Sequence, residues 1–203
     1  MKTKYILLSL LMFVGLVASA QEDDLATQFE QELKSKNEDV TSIRCDFVQT
    51  REMSVLEMSV AKEGEFSFQR PGNMLLSFDD SDYIKMSETM FEMKTADNVT
   101  TTSISSNPML KNLSSILSAC VIGDFKEMRK GFDVTLLPTE TEWHVTMKPT
   151  RGKAASKISL ILLHFDRDDM SLNLLKMEEK SGDFTLYEFS NKQFNVNLDT
   201  IWF

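Results

Sequence analysis

Histidine, cysteine, proline and glycine are all scarce in this chain. Its 203 residues contain 2 His, 2 Cys, 4 Pro and 7 Gly. With so few imidazoles and thiols, most nucleophilic and metal-assisted chemistries lack their parts. No GxSxG elbow, P-loop, GxGxxG or HExxH motif occurs. No catalytic residue, no cofactor and no metal site is therefore expected. Alternation puts His144 on the strand face opposite Trp143, and His164 follows Leu163 near a strand end. Both read as solvated strand residues rather than as a pair. Asp166, Asp168 and Asp169 lack the glycine and terminal glutamate of an EF-hand loop, so they read as a charged turn. Few glycines and prolines, with no repeat or low-complexity stretch, leave no linker, which implies a single domain.

Basic residues are also in deficit, at 22 Lys and Arg against 31 Asp and Glu, for a net charge of −9. Two of those lysines, Lys2 and Lys4, precede the apolar run Tyr5–Val17, which ends in Ala18-Ser19-Ala20. This is the pattern of a secretory leader cleaved before Gln21. The apolar run is shorter than the roughly 20 residues that span a bilayer. Residues 1–20 are thus expected to be a signal peptide and 21–203 the domain, leaving 183 residues with a net charge of −11. Such a charge repels phosphate backbones and anionic lipid surfaces, which argues against nucleic acid and against permanent membrane docking. An exported chain meets an oxidising compartment, so Cys45 and Cys120 are either one disulfide or two buried thiols.

What the chain does have is patterned apolar residues. Leu25, Phe29 and Leu33 recur every four residues, with Asp23 and Asp24 before them and Lys34 and Lys36 behind. This predicts an amphipathic helix packed on a sheet. From Thr41 the period falls to two: Ile43, Cys45, Phe47, then Leu56, Met58, Val60, then Phe66, Phe68, then Met74, Leu76, Phe78. Further short runs at 83–86 and 90–93 complete an antiparallel meander. Ser105-Ser106-Asn107-Pro108 then signals a helix start, Leu110, Leu113, Ile116, Leu117 and Cys120 recur at three and four, and Gly123 closes the stretch. Strands resume through Phe132–Leu136, Trp143–Met147, Ile158–Leu162, Leu172–Lys176 and Phe184–Glu188. The order implies a large twisted sheet curled around helical material. Cys45 shares a face with Phe47, and Cys120 shares one with Leu117, so the two thiols can meet. The chain also holds 13 Met and 14 Phe. Methionine adapts to variable apolar partners, and together with Phe on alternating strands it suits the lining of a greasy cavity.

Three segments carry a family resemblance. Ser42–Thr50, with Phe47-Val48-Gln49, resembles the first strand of LolA, the periplasmic lipoprotein carrier. Gly64-Glu65-Phe66-Ser67-Phe68-Gln69-Arg70-Pro71 resembles that family's Gly-aromatic-Arg-Pro hairpin. Trp143–Pro149 resembles a later family strand. The insert 108–122 falls where the family has helices that close its cavity. The resemblance implies a mainly β fold with α: an incomplete, half-open antiparallel β-barrel with a helical lid and an N-terminal helix.

It also implies a monomeric periplasmic carrier. Such a carrier takes acyl chains of lipoproteins from an inner-membrane lipoprotein-releasing transporter to an outer-membrane acceptor. The acyl cavity would be lined by Phe47, Phe66, Phe68, Met74, Leu76 and Met90 from the sheet, and by Leu113, Ile116 and Leu117 from the lid. A pocket of roughly 300 Å³ or more is expected. Arg70, at the Arg-Pro step, would latch the lid through backbone carbonyls of the lid helices. Ser87-Glu88 stands where the family has Asp-Gly, and the sequence ends at Ile201-Trp202-Phe203, about where the family continues into a last strand. That strand, or a membrane-transfer element, is expected to be missing. Two other readings stay open: an RseB-like lipid and envelope-stress sensor, which usually has a second domain, and a carrier of free lipid or glycolipid.

Overall fold

The computed structural model describes residues 24–198 except 80, 107 and 130; the side chains of 108–113, 127, 128, 153 and 154 lie outside it. The proposed leader, residues 1–20, and the C-terminal residues 199–203 fall outside the described residues. Helix α1 occupies 24–37. Strands β1 (Ser42–Met53), β2 (Met58–Gln69), β3 (Asn73–Phe78), β4 (Tyr83–Met86), β5 (Met90–Thr95) and β6 (Asn98–Ser103) form a meander. Helices α2 (Pro108–Ile122) and α3 (Lys126–Arg129) follow. Strands β7 (Phe132–Pro138), β8 (Glu142–Pro149), β9 (Ile158–Asp166), β10 (Leu172–Glu179) and β11 (Phe184–Phe194) complete the sheet, with α4 (Gly152–Lys157) between β8 and β9.

All eleven strands join one antiparallel sheet in the order β6-β5-β4-β3-β2-β1-β11-β10-β9-β8-β7. The two meanders meet where β1 pairs with β11, Phe47 opposite Phe189. The sheet stays open, with β6 and β7 as its edges, which gives the half-open barrel that the family resemblance implies. The chain leaves edge β6 and re-enters at edge β7, so the segment between them, α2 and α3, must cross the open side. Ile116 and Leu117 are buried with Phe66, Leu76 and Leu175 of the sheet, which makes α2 a cover of its apolar face.

The core forms between sheet and helices. On α1, Phe29 and Leu33 are fully buried. Phe29 makes edge-to-face contacts with Phe125, Trp143 and Phe165 at 5.3–5.4 Å between centroids, each worth about 0.5–1.5 kcal/mol beyond area burial. Trp143 Nε1 donates to Glu32 Oε2 at 2.9 Å, which satisfies the one polar atom of a fully buried indole. Where α2 ends, Gly123 has φ +83°, and a Cβ there would stand 2.9 Å from Lys34 Cα of α1. Only glycine allows both the left-handed turn and this helix approach. Gly64 serves a similar purpose in β2. It faces Phe47 across the strand pair, and a Cβ would stand 2.1 Å from the Ser77 carbonyl and 2.9 Å from the Phe47 ring. The phenyl ring lies where the side chain is missing.

One apolar run departs from the expected pattern. Leu56 sits in the 3-10 turn Ser54–Leu56 rather than in a strand, and Val55, Leu56, Met58 and Val60 are exposed, Val55 by 83% and Leu56 by 61%. The cause is unequal pairing. β2 pairs with β1 along its whole length but with β3 only from Gly64 onward, so Met58–Glu63 has strand pairing on one side only. The charged turn expected at 166–169 is present: Asp166 Oδ1 accepts from the Asp168 amide at 2.7 Å, and Asp169 Oδ1 from the Ser171 amide at 2.8 Å.

Candidate functional site

The face that α2 covers is apolar. Phe66, Leu76, Ile84, Met86, Phe91, Leu117, Leu175, Tyr187 and Phe189 surround a cavity of about 100 Å³. A second cavity of about 30 Å³ shares Phe66, Leu117 and Phe189 and adds Ile43, Cys45, Cys120, Val121, Leu172 and Lys192. The two adjoin under α2, with Leu117 reaching into both. A larger, more open groove of about 600 Å³ lies between α1 and the α2–α3 turn, where Ile122 and Phe125 stand among the charged side chains Glu30, Lys34, Asp124 and Lys126.

Of the nine residues expected to line the cavity, Phe66, Leu76 and Leu117 do so. Phe47, Phe68, Met74 and Ile116 are buried in the core that surrounds it. Met90 does not point inward. It is 40% exposed, and its neighbour Phe91 is buried in its place, because Phe91 is the residue registered against inward-facing Met86. The Leu113 side chain lies outside the described residues. Sequence reasoning missed Ile84, Phe91, Leu175, Tyr187 and Phe189. In β10 a bulge between Leu172 and Leu174 changes the phase of alternation, so Leu175 faces in. In β11 the residues Phe184 and Leu186 draw the eye to one phase while Tyr187 and Phe189 occupy the other. The cavity is also smaller than the roughly 300 Å³ expected. Sheet and cover are packed together in this state, so a long ligand requires α2 to move.

Arg70 ties the β2–β3 corner to the end of α1. Its Nε donates to the Val40 carbonyl at 2.5 Å and its Nη2 to the Asn37 carbonyl at 2.7 Å. Its backbone amide donates to the Thr41 carbonyl at 3.0 Å. Among the described residues, these partners belong to the end of α1 and the turn after it, not to α2. The expected latch on the insert helix is thus a clamp between the β2–β3 corner and α1. Asn37, buried, closes the same helix end by donating from Nδ2 to the Leu33 carbonyl at 2.9 Å. Gln49 of the Phe47-Val48-Gln49 element also has a structural role: its Nε2 donates to the Tyr187 hydroxyl at 2.6 Å, capping the polar end of a cavity-lining ring. Burial raises the Tyr187 hydroxyl above its ordinary pKa.

Cys45 and Cys120 are both free and buried, and both line the smaller cavity, so the spacing that let them meet is realised without a bridge. Burial pushes the Cys45 thiol up to about 12 and raises Cys120 as well, which makes them inert apolar side chains at neutral pH. The histidines differ from their reading as separate solvated residues. His144 and His164 stand directly opposite one another on β8 and β9 and stack at 3.9 Å. Cross-strand register, which no single segment encodes, brings them together. No helix among the described residues is long and apolar enough to cross a membrane.

The solved structures that resemble this fold include a putative outer membrane lipoprotein-sorting protein domain from Vibrio parahaemolyticus, 13% identical, with a TM-score of 0.49 over 85% of this chain and 93% of that one. A LolA superfamily protein from Nitrosomonas europaea is 9% identical, with a TM-score of 0.46 over 88% and 97%. The MucA/MucB complex of Pseudomonas aeruginosa gives 13% identity and a TM-score of 0.46 over 84% of this chain and 57% of that one. A search of curated proteins by sequence found no match. The family described as "Outer membrane lipoprotein carrier protein LolA" matches residues 38–203, which spans the sheet, Arg70 and α2. This chain belongs to the LolA family of outer membrane lipoprotein carriers.

Proposed function

We propose that this protein is an exported, non-enzymatic carrier that shields the acyl chains of lipidated proteins between the inner face of the sheet and α2. It would work in the periplasm, receiving its cargo from an inner-membrane lipoprotein-releasing transporter and giving it to an outer-membrane acceptor. The observation that carries this reading is the apolar seam under α2. Phe66, Leu117 and Phe189 border both cavities, and Leu117 belongs to the segment that joins the two sheet edges. Displacing α2 joins the cavities and exposes a continuous apolar face. Burying acyl carbons against it contributes about 0.8 kcal/mol per CH₂, so a dozen methylenes supply about 10 kcal/mol toward opening.

A triacylated lipopeptide should displace a fluorescent fatty-acid probe from the purified protein, and Leu117→Arg should abolish probe and lipopeptide binding alike while circular dichroism stays native. Displacement by free phospholipid but not by lipopeptide would move the assignment to free lipid. No probe binding by the folded wild type would refute a carrier. Export is tested separately: the N-terminus of protein recovered from the cell envelope should begin at Gln21.

A further inference from the structure

Three donor side chains gather on the face of the sheet opposite the apolar cavities. Glu142 and His144 stand two residues apart on β8, and His164 stands opposite His144 on β9. Trp143 and Phe165 alternate with them and are fully buried on the inner face. The Glu142 carboxylate bridges one nitrogen of each stacked imidazole. Its Oε2 is 3.0 Å from His144 Nε2 and 3.4 Å from His164 Nδ1, and the three donor atoms all fall within 4.8 Å of one another. Its other oxygen, Oε1, accepts from Asn173 Nδ2 at 2.9 Å. Asn173 Oδ1 in turn accepts from Lys192 Nζ, which also donates to Ser171 Oγ at 2.7 Å. The carboxylate is therefore held from behind, with one oxygen turned toward the histidines.

We propose that Glu142, His144 and His164 bind one divalent transition-metal cation of the Zn²⁺ class. Two imidazole nitrogens and one carboxylate oxygen suit Zn²⁺, Ni²⁺ or Cu²⁺, whereas Ca²⁺ and Mg²⁺ take oxygen ligands. Around an ion held at about 2.0–2.1 Å from each donor, tetrahedral geometry puts the donors about 3.3 Å apart. The Glu142–His distances of 3.0 and 3.4 Å bracket that edge, and all three donor separations stay within 4.8 Å. The rings are nearly parallel, 11° apart, so they cannot both hold one ion in their planes as they stand. One ring must turn about its Cβ–Cγ bond, a broad torsion. The histidine side chains are 33% and 26% exposed, which leaves room for that turn and an open fourth position for water. Asn173 would act as the orienting partner that such carboxylate ligands use. An ion here would staple β8 to β9 without entering the apolar cavity.

The full chain, free of any polyhistidine tag and stripped with chelator, is titrated with Zn²⁺ by calorimetry, and with Co²⁺ as an absorbing substitute. His144 and His164 are its only histidines, so imidazole ligation has one location. The expected result is one ion per chain, a raised thermal midpoint, and visible Co²⁺ bands of a low-coordinate site. His164→Ala and His144→Ala should each weaken Zn²⁺ by at least tenfold, and Asn173→Ala by about 10- to 100-fold with the stoichiometry kept. Metal-free melting of each variant separates lost ligation from lost fold. No binding at 1 mM Zn²⁺, or equal affinity in folded His164→Ala, would reduce the cluster to a polar surface network and overturn the proposal.

Discussion

Arg70→Leu removes two charge-assisted hydrogen bonds, to the Val40 and Asn37 carbonyls at 2.5 and 2.7 Å, while keeping the apolar stem. Bonds of this kind contribute about 1.5–3 kcal/mol each. Taking the lower figure for both, the clamp is worth about 3 kcal/mol in the closed state. Gly123 at the end of α2 packs against Lys34 of α1, so displacing α2 to load acyl chains also pulls on α1 and its clamp; the wild type must then break the clamp on loading and the variant need not. Lipopeptide affinity should then rise about 100-fold in Arg70→Leu, since each 1.4 kcal/mol is a factor of ten. Most of the change should appear as slower release. Arg70→Lys, with a single ammonium in place of the planar fork, should fall between. The ligand-free variant should stay folded but melt about 6–12 °C lower. Stopped-flow transfer of a fluorescent triacylated lipopeptide into excess vesicles gives the off-rate, and calorimetry gives the melting point. A lower melting point with unchanged affinity and off-rate would refute the reasoning and leave Arg70 a structural clamp alone.

Gly64→Ala forces a methyl to within 2.1 Å of the Ser77 carbonyl and against the Phe47 ring, so it should cost about 3 kcal/mol or more in urea unfolding; a loss below about 1 kcal/mol would contradict the packing. Cys45 and Cys120 should resist iodoacetamide in the native protein, and both should react once it is denatured without reductant; zero labelling under those conditions would mean a disulfide. Alkaline stability carries a sign as well. The Cys45 thiol is raised from 9.0 to about 12 and Cys120 is raised too, so the unfolded chain loses these protons first. Their contribution is intact below about pH 9 and declines above it by about 1.4 kcal/mol per pH unit per thiol; the Cys45→Ala, Cys120→Ala double variant should show a flatter alkaline limb, and identical slopes would refute this.

The legibility of the sequence tracked how local each signal was. The α2 boundaries follow from Pro108, the three-four recurrence and Gly123, all within one segment. The turns announced by Arg70-Pro71-Gly72 and Asp166–Asp169 stand as expected, whereas Gly64 lies inside β2. Phe66 was found because only one phase of its strand end is apolar, and Leu76 and Leu117 because they share a face with Met74 and with Ile116. Met90 was misplaced because Met90 and Phe91 are both apolar, and the pairing of Phe91 with Met86 settles which turns in. Tyr187 and Phe189 compete with Phe184 and Leu186 for the same strand, and the β10 bulge shifts Leu175 out of phase. The one-sided pairing of Met58–Glu63 follows from β3 being half the length of β2, a property of two strands together. The stacked histidines likewise depend on a register that pairs residues 20 positions apart. Partner identity for Arg70 needed the helix end to be placed in space.

The central claim is that acyl chains are carried beneath α2. Native mass spectrometry of the protein released from its own cell envelope under mild conditions tests it most directly. The account predicts a one-to-one adduct that carries fatty acyl groups, and its loss in Leu117→Arg. Only the bare chain in the wild type, or an acylated adduct that persists unchanged in folded Leu117→Arg, would contradict it.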